Sequence, residues 1–339
     1  MEKYFTIVSD GSCDLPEEIV KEKEIGEVHF LVSFDGKEYK KEGVEIRLED
    51  FYGKMVAESN VFPLTAAPSP NDYYEVFKEK AKEGKDILCI CISTKLSSSM
   101  QSAEIAAKML AEKYPDIQVK IIDSLACTLM QGLYVLEACR LRDLGYTLKD
   151  SIERMNQLTD TQRIFFTVGN LEYLEHGGRI GKVASIAGKL LNVKPLITLK
   201  DGEIYSPGLK RGRKKSMAGT IDLLLDYMEE NGYTPENCSL VIGYCYGYEE
   251  AESFQKMLMQ SLEEKFGTTE TVPIHRIGAT IGVCGTRIAW VYAVFPNHRS
   301  FSSLMMVYPV SLSTTALLIL IAVLVYHPAR RYQNRTDRH

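Results

Sequence analysis

Residues 173–181 read YLEHGGRIG, a helix-like segment followed by three glycines and one arginine. Glycine ends helices readily because it adopts a left-handed backbone conformation at little cost, so a short helix is predicted to stop here. The glycines also let another backbone or a ligand come close, and Arg179 adds a positive charge that cannot be lost. The stretch therefore predicts a surface for an anionic group or for a neighbouring backbone.

This stretch does not have the pattern of a phosphate-binding P-loop. That pattern requires glycine at position 176 and a hydroxyl side chain at position 183, where the chain has His176 and Val183. Because no other nucleotide signature is present in the sequence, a kinase-like phosphotransferase is kept only as an alternative function.

Outward from this stretch, short apolar runs alternate with amphipathic segments. This order predicts an α/β protein with a largely parallel sheet and with ligands at the carboxyl ends of its strands. Strands are predicted over 4–10, 86–93, 119–124, 163–169 and 239–246, and helices over 97–114, 128–144, 183–192, 213–231 and 249–266.

Local signals refine this outline at three turns. Asp14 is predicted as the N-cap of a helix that has Pro16 in its first turn. Residues 27–39 are predicted to form a hairpin that turns at Asp35-Gly36, and a second hairpin is predicted at Asp201-Gly202.

Composition limits the class of protein. The chain has 339 residues and is nearly half hydrophobic, so two domains are predicted, and its net charge of −5 argues against a general nucleic-acid binder. It opens on a strand-like run rather than a secretory signal, and its eight cysteines include no Cys-x-x-Cys pair. We therefore expect a cytoplasmic protein with no metal site and no cofactor.

Three further stretches are rich in polar side chains at predicted strand-to-helix turns, namely SDGSCDLP (9–16), LTAAPSP (64–70) and ISTKLSSSMQSA (92–103). Helix capping and turn hydrogen bonds account for some of these side chains. The run from Ser97 to Ser99 exceeds what capping needs, and its hydroxyls beside free N–H groups could hold a carboxylate or a phosphate. Together the stretches indicate binding of an anionic headgroup rather than bond-breaking chemistry, and no catalytic residue is predicted.

A basic run, LKRGRKK at 209–215, allows two interpretations. It is either a solvated helix start or a docking surface for an acidic partner or a phosphate.

In combination, these stretches resemble the DegV family of fatty-acid-binding proteins. The resemblance runs in order over about residues 4–283, and its most specific part is the block from YLEHGGRIG to LLNVKPLITLKDGEI. It implies a two-domain α/β protein that holds a long-chain fatty acid between the domains, with the acyl chain in an apolar tunnel. By motif position, Thr65 and Ser97 are expected to bind the carboxylate.

The resemblance also implies a partner. Bacterial members of this kind present the fatty acid to a separate fatty acid kinase subunit, which makes an acyl phosphate. Arg179 is then expected near the headgroup or the docked kinase. The other residues expected at the cleft or in support of its loops are Gly177, Gly178, Gly181, Asp10 and Ser12.

The sequence departs from the family pattern in three places. The family usually has Thr-Ser-Gln-Pro-Ser-Pro where this chain has TAAPSP, and Ser-Gly-Thr-Tyr-Gln where it has SSSMQ. The third departure is the C-terminal His-x-Gly-Pro-Gly-x-x-Gly motif, whose histidine is expected to contact the carboxylate. Here the chain reads IGVCGTRIAWVY at 281–292, without that histidine.

These considerations predict domains at 1–158 and 159–284, followed by an atypical tail at 285–339. Residues 304–326 of the tail carry no charge and are long enough for a transmembrane helix. The tail is either a membrane anchor or an out-of-frame reading of the family's C-terminal motif. If the tail is a membrane anchor, the protein is a membrane-tethered lipid carrier or sensor. The tail is the only segment through which membrane attachment is expected.

Overall fold

The computed structural model describes residues 5–58, 61–169, 172–179, 193–285 and 290–296. The strands are β1 (Phe5–Asp10), β2 (Gly26–Val28), β3 (Leu31–Ser33), β4 (Lys40–Lys41), β5 (Leu64–Ala66), β6 (Asp86–Cys91), β7 (Val119–Asp123), β8 (Arg163–Thr167), β9 (Val193–Lys200), β10 (Glu203–Arg211), β11 (Cys238–Tyr244), β12 (Ile274–Arg276) and β13 (Trp290–Pro296). The helices are α1 (Glu17–Glu22), α2 (Leu48–Ala57), α3 (Pro70–Ala81), α4 (Ser99–Ala111), α5 (Thr128–Asp143), α6 (Leu148–Leu158), α7 (Glu172–His176), α8 (Arg213–Asn231), α9 (Tyr248–Phe266) and α10 (Ala279–Gly285). The predicted α/β class is confirmed.

The first sheet is parallel and has the strand order β2-β1-β6-β7. All residues of β1 are buried, as a strand covered on both faces requires. On one face, Tyr73 and Phe77 of α3 pack with Ala103 and Leu110 of α4 against Cys89 of β6. Helix α5 contacts both β1 and β13, so it lies between the first sheet and the second.

The second sheet is mixed and has the order β10-β9-β8-β13-β11-β12. Helices α8 and α9 cover it through a core that includes Leu224, Met228, Phe254 and Leu258. The hairpin between β9 and β10 turns at Asp201-Gly202 as predicted, and both residues have positive φ, 51° and 76°. Helix α8 also has its predicted bounds, whereas the helix predicted over 183–192 lies outside the described residues.

A small antiparallel sheet, β4-β3-β5, carries the Thr65 stretch beside the first sheet. The predicted hairpin over 27–39 is only partly right. Its loop contains Asp35-Gly36, but the arms are β3 and β4, and the preceding strand β2 pairs in parallel with β1. The chain changes sheet between β2 and β3, which a continuous apolar run does not reveal.

The prediction that Asp14 caps a helix is wrong. The chain leaves β1 through a short 3₁₀ turn at Gly11–Cys13, and Asp14 ends that turn with a left-handed backbone, φ 50°. Pro16 is the N-cap of α1 and makes no side-chain capping bond. The Asp14 carboxyl is directed instead towards Gly278, where an added Cβ would collide with it.

The predicted tail boundary at residue 285 is also corrected. Residues 290–296 form β13, which pairs antiparallel with both β8 and β11 and is therefore an interior strand of the second sheet. The run WVYAVFP is rich in β-branched and aromatic residues, as such strands usually are. The domain boundary at 158 stays a prediction, and residues 297–339, including 304–326, lie outside the described residues.

Candidate functional site

An apolar cavity lies between the first and second sheets. It occupies about 840 Å³ with its open mouth included. Its walls come from both halves of the chain, with hydrocarbon side chains that include Phe30, Ile92, Leu96, Ile164, Phe166 and Leu199. Such a lining suits an apolar molecule and disfavours a free ionic group.

Thr65, Ser97 and Arg179 come from three separate stretches, and the structure brings all of them to this cavity. Thr65 lies on β5 opposite Val32 of β3, and Ser97 follows β6 in a tight turn. The Ser97 hydroxyl accepts a hydrogen bond from the Ser99 N–H at 3.2 Å, so its own hydrogen remains available to a ligand. The residues predicted to bind a carboxylate therefore line the same cavity.

The Arg179 side chain is exposed and held by two backbone carbonyls. Its Nε donates to the Leu96 carbonyl at 3.1 Å, and its Nη1 donates to the Gly177 carbonyl at 2.7 Å. The turn itself depends on Gly178, which lies two residues after the end of α7 and has a φ of +67°. Its N–H donates a hydrogen bond to the Glu175 carbonyl at 3.0 Å. Arg179 is thus fixed beside the Ser97 turn, while the predicted Gly181 lies outside the described residues.

A polar surface groove adjoins the mouth of the cavity. It shares Leu96, Ser97, Arg179 and Ile204 with the cavity and adds polar groups, which are Thr94, Lys95, Ser98 and Glu203. Ser97 and Arg179 therefore stand at the boundary between apolar interior and polar surface. A molecule with one charged end and one hydrocarbon tail fits such a boundary in one orientation only.

Asp10 and Ser12 do not line the cavity. They belong to a buried hydrogen-bond network next to the turn that carries Ser97. The Asp10 carboxylate is fully buried at the end of β1. Its donors are Ser12 Oγ (2.6 Å), Gln131 Nε2 (2.8 Å), Ser99 Oγ (2.8 Å), Ile92 N (3.1 Å) and Tyr73 Oη (3.3 Å). Because these donors come from the 3₁₀ turn after β1, from α3, α4 and α5, and from the end of β6, the carboxylate fixes the turn that carries Ser97.

Two contacts connect the stretches near this site through side chains to which sequence reasoning gave no role. The Phe62 ring stacks on His176 with centroids 3.7 Å apart, which connects the segment before Thr65 to the turn before Arg179. The Ser93 hydroxyl donates to the Gly202 carbonyl at 2.9 Å, which ties the Ser97 turn to the β9–β10 hairpin. Phe62 belongs to no pattern that marks a site in sequence, whereas His176 and Ser93 lie in stretches that the sequence analysis marks without giving these two residues a role.

Thr128 and Thr280 also line the cavity and were not singled out from the sequence. Thr128 stands inside IIDSLACTLMQGL, a segment that the sequence marks only as part of the family pattern. The burial of both side chains and the positive φ of Thr128 distinguish them from ordinary polar residues, and these features are visible only in the structure.

The basic run at 209–215 does not line the cavity. It begins near the end of β10 that is remote from the Asp201-Gly202 turn, and Lys210, Arg211, Lys214 and Lys215 are exposed. Arg213 instead pairs with Glu250 at 2.7 Å.

Within the described ranges, no group of three or more His, Cys, Asp or Glu side chains is arranged to hold a metal ion. No helix in the same part of the chain is both long and apolar enough to cross a membrane.

Comparison with known proteins decides the family. The model described as "Uncharacterised protein, DegV family" matches residues 4–291. The chain belongs to the DegV family. A DegV domain-containing protein from Clostridium perfringens is 31% identical over 282 residues, which cover 83% of this chain and 93% of the relative.

Solved DegV structures share this fold. A stearic acid-binding protein from Eubacterium ventriosum is 34% identical with a TM-score of 0.79, over 88% of this chain and 99% of the other. A fatty-acid-binding DegV protein from Thermus thermophilus is 27% identical with a TM-score of 0.76, over 87% and 100% of the respective chains. The resemblance to the DegV family seen in the sequence is thereby confirmed.

Proposed function

We propose that this DegV protein binds a long-chain fatty acid, with its acyl chain in the apolar cavity and its carboxylate at the mouth. The observation that carries the proposal is that Thr65, Ser97 and Arg179 line the same apolar cavity, and that Ser97 and Arg179 also line the groove at its mouth. Each buried methylene contributes about 0.8 kcal/mol, so the hydrocarbon wall supplies most of the affinity. The fatty-acid-binding structures of two relatives support the same ligand class.

The orientation of the ligand follows from the cost of burying charge. A carboxylate inside the hydrocarbon wall would lose its hydration without replacement, whereas at the mouth it accepts hydrogen bonds from hydroxyls. Ser97 is placed to donate one such bond, because its oxygen already accepts from Ser99 N. The hydroxyls thus select which end of the fatty acid faces outward.

Removing either hydroxyl is expected to weaken fatty-acid binding. Thr65→Val and Ser97→Ala each delete a hydrogen bond to a charged group, worth about 1.5–3 kcal/mol, so the Kd should rise about 10- to 100-fold. Calorimetric titration with stearate gives the affinity, and thermal unfolding verifies the fold. Ser98→Ala is the matched control, because Ser98 is exposed and lies in the groove rather than the cavity. Unchanged affinity in both cavity variants would place the carboxylate elsewhere.

The protein is proposed to be a binding partner rather than an enzyme, and to work in the cytoplasm. In this proposal a separate fatty acid kinase transfers the γ-phosphoryl group of ATP to a carboxylate oxygen of the bound acid. The carboxylate must then be reachable from outside, which the position of Ser97 between cavity and surface groove supports. Arg179 would stabilise the negative charge that accumulates during transfer.

Arg179→Ala is accordingly expected to reduce acyl-phosphate formation with the kinase more than it reduces stearate binding. The guanidinium is exposed and faces the groove, so its loss leaves the hydrocarbon contacts intact. A coupled assay with the kinase subunit, run beside stearate titration, separates the two effects. Arg154→Ala, an exposed arginine on α6, serves as the control. Normal phosphorylation of the fatty acid on the Arg179 variant would contradict this role.

A further inference from the structure

The cavity contains a second pair of hydroxyls that differs from the pair formed by Thr65 and Ser97. Thr65 and Ser97 are half-buried, whereas Thr128 and Thr280 are only 1% and 6% exposed. Both buried threonines line the same cavity. Within the described residues, neither Oγ1 atom meets the distance and angle of a hydrogen bond, although Thr128 lies close to the Asp14 carboxyl and Thr280 close to the Glu42 carboxyl.

The backbone of Thr128 is strained. Its φ is +51°, in the left-handed region that β-branched residues rarely adopt. A strained residue persists only where its surroundings fix it, and such residues concentrate at ligand sites. Thr128 thus combines strain, burial and an unpartnered hydroxyl in the wall of a cavity.

A carboxyl group stands next to this hydroxyl. Asp14 Oδ2 is buried and has no hydrogen-bond partner in the described part of the chain. Thr128 is near enough to lower the pKa of Asp14 slightly, although its hydroxyl falls short of hydrogen-bond geometry. Burial first, and the Glu42 carboxylate second, outweigh that effect and raise the pKa of Asp14 well above its usual value. Burial therefore favours the neutral form of Asp14, and one oxygen of its carboxyl is left without a partner in the described part of the chain.

Glu42 connects Asp14 to Thr280. A Cβ added to Gly278 would collide with carboxylate oxygens of both Asp14 and Glu42, so the two acids lie side by side. Glu42 accepts hydrogen bonds from the backbone N–H groups of Ala279 and Thr280, the latter at 2.9 Å. The polar atoms of Thr128, Asp14 and Thr280 thus lie in one region, where the two threonines line the cavity.

An unpartnered buried polar atom costs about 1–3 kcal/mol, so this region gains stability when a ligand supplies a partner. A second carboxylate would meet the acidic side chains of Glu42 and Asp14, which offer it no positive charge. An alcohol is different, because its oxygen accepts a bond from a threonine hydroxyl while its hydrogen donates to a carboxyl oxygen.

We propose that Thr128 and Thr280, with Asp14 beside Thr128, form a second subsite that takes a hydroxyl group on the acyl chain, so that the preferred ligands include hydroxylated fatty acids. The inference rests on the proposed function, since the carboxylate of the same molecule occupies the mouth. It assigns to the cavity wall a selectivity that a plain hydrocarbon tunnel lacks.

The test compares stearate with a series of monohydroxystearates that carry the hydroxyl at successive positions along the chain. For the wild-type protein, at least one isomer is expected to bind roughly tenfold more tightly than stearate. In Thr128→Val, the ratio of the two affinities should fall to about one. Thr280→Val gives a second measurement of the same ratio if the first variant does not fold.

Thr167→Val is the matched control. Thr167 is also fully buried with an unpartnered hydroxyl, but it does not line the cavity, so its variant should keep the wild-type ratio. If stearate and every isomer bind equally, the hydroxyls hold water only and the inference is overturned while the proposed function stands. A preference that survives in both cavity variants also overturns it. If neither stearate nor any isomer binds, the proposed function fails and the inference fails with it.

Discussion

Asp10→Ala is expected to lower the free energy of unfolding by roughly 3–5 kcal/mol, the loss typical of a buried charge network that loses one partner. The Asp10 carboxylate is fully buried and accepts hydrogen bonds from five donors on different elements. Alanine would remove the acceptor that these five donors share, in a site that water does not reach. The Ile92 N–H before Ser97 and the Ser99 hydroxyl after it both donate to Asp10, so the turn that carries Ser97 depends on this carboxylate. Stearate affinity should therefore fall as well.

Chemical denaturation measures this effect, and Asp35→Ala provides the control. Asp35 also accepts several hydrogen bonds, from Ser33 Oγ at 3.0 Å, Lys37 N at 2.8 Å and Glu38 N at 2.9 Å, but it lies in an exposed loop. Its loss should cost only about 1 kcal/mol, as for an exposed turn or capping residue. Equal losses for the two variants would mean that the Asp10 network contributes no more than a surface turn.

Stability is expected to fall as the pH rises from about 4.5 to about 8, and Glu27 is one cause beside Asp14 and Glu42, whose pKa values burial also raises. Burial first, then the charges of Glu42, Asp10 and Glu17, raise the pKa of Glu27 to about 7. The folded protein therefore keeps a proton that the unfolded chain has already released. The resulting stabilisation is complete below the ordinary glutamate pKa and is lost as the pH rises through 7. Its magnitude is about 2–3 kcal/mol.

The variant Glu27→Gln separates the contribution of Glu27 to stability from the contributions of groups that act in the opposite direction with pH. Burial lowers the pKa of His29 and of His275, so those groups add stability that is lost as the pH falls. The difference in stability between wild type and Glu27→Gln cancels the histidines to a first approximation. That difference should shift by about 2–3 kcal/mol in favour of the variant between pH 4.5 and pH 8. Glu104→Gln, at an exposed site on α4, is the control, and a flat difference for Glu27→Gln would contradict the prediction.

Local sequence patterns were sufficient where the structure depends on near neighbours. The alternation of apolar and amphipathic runs predicted β6, α8 and α9, and Asp201-Gly202 predicted a hairpin whose residues do have positive φ. They were insufficient where the chain changes sheet, as after β2. Asp14 shows a further limit, because a capping sequence does not reveal a 3₁₀ turn inserted before the helix.

The candidate site shows the same division. Thr65, Ser97 and Arg179 stand in polar, turn-forming stretches that draw attention in sequence, and they meet at one cavity. Thr128 and Thr280 carry the same hydroxyl group but lie in segments that read as ordinary helix starts. What marks both is a buried hydroxyl that makes no hydrogen bond within the described residues, and Thr128 also has a positive φ. These features depend on packing between distant elements.

The position of β13 has a consequence for how the protein is made. A ribosome delivers β8 and β11 well before Trp290–Pro296, yet these two strands become part of one sheet only through β13. During synthesis each of them therefore presents an unpaired edge, which is a template for wrong pairing with another chain. The first sheet has no such delay, since β1, β2, β6 and β7 are complete by residue 123. The nascent protein thus closes its two sheets at different times, and the interval between them is when it is most exposed to aggregation.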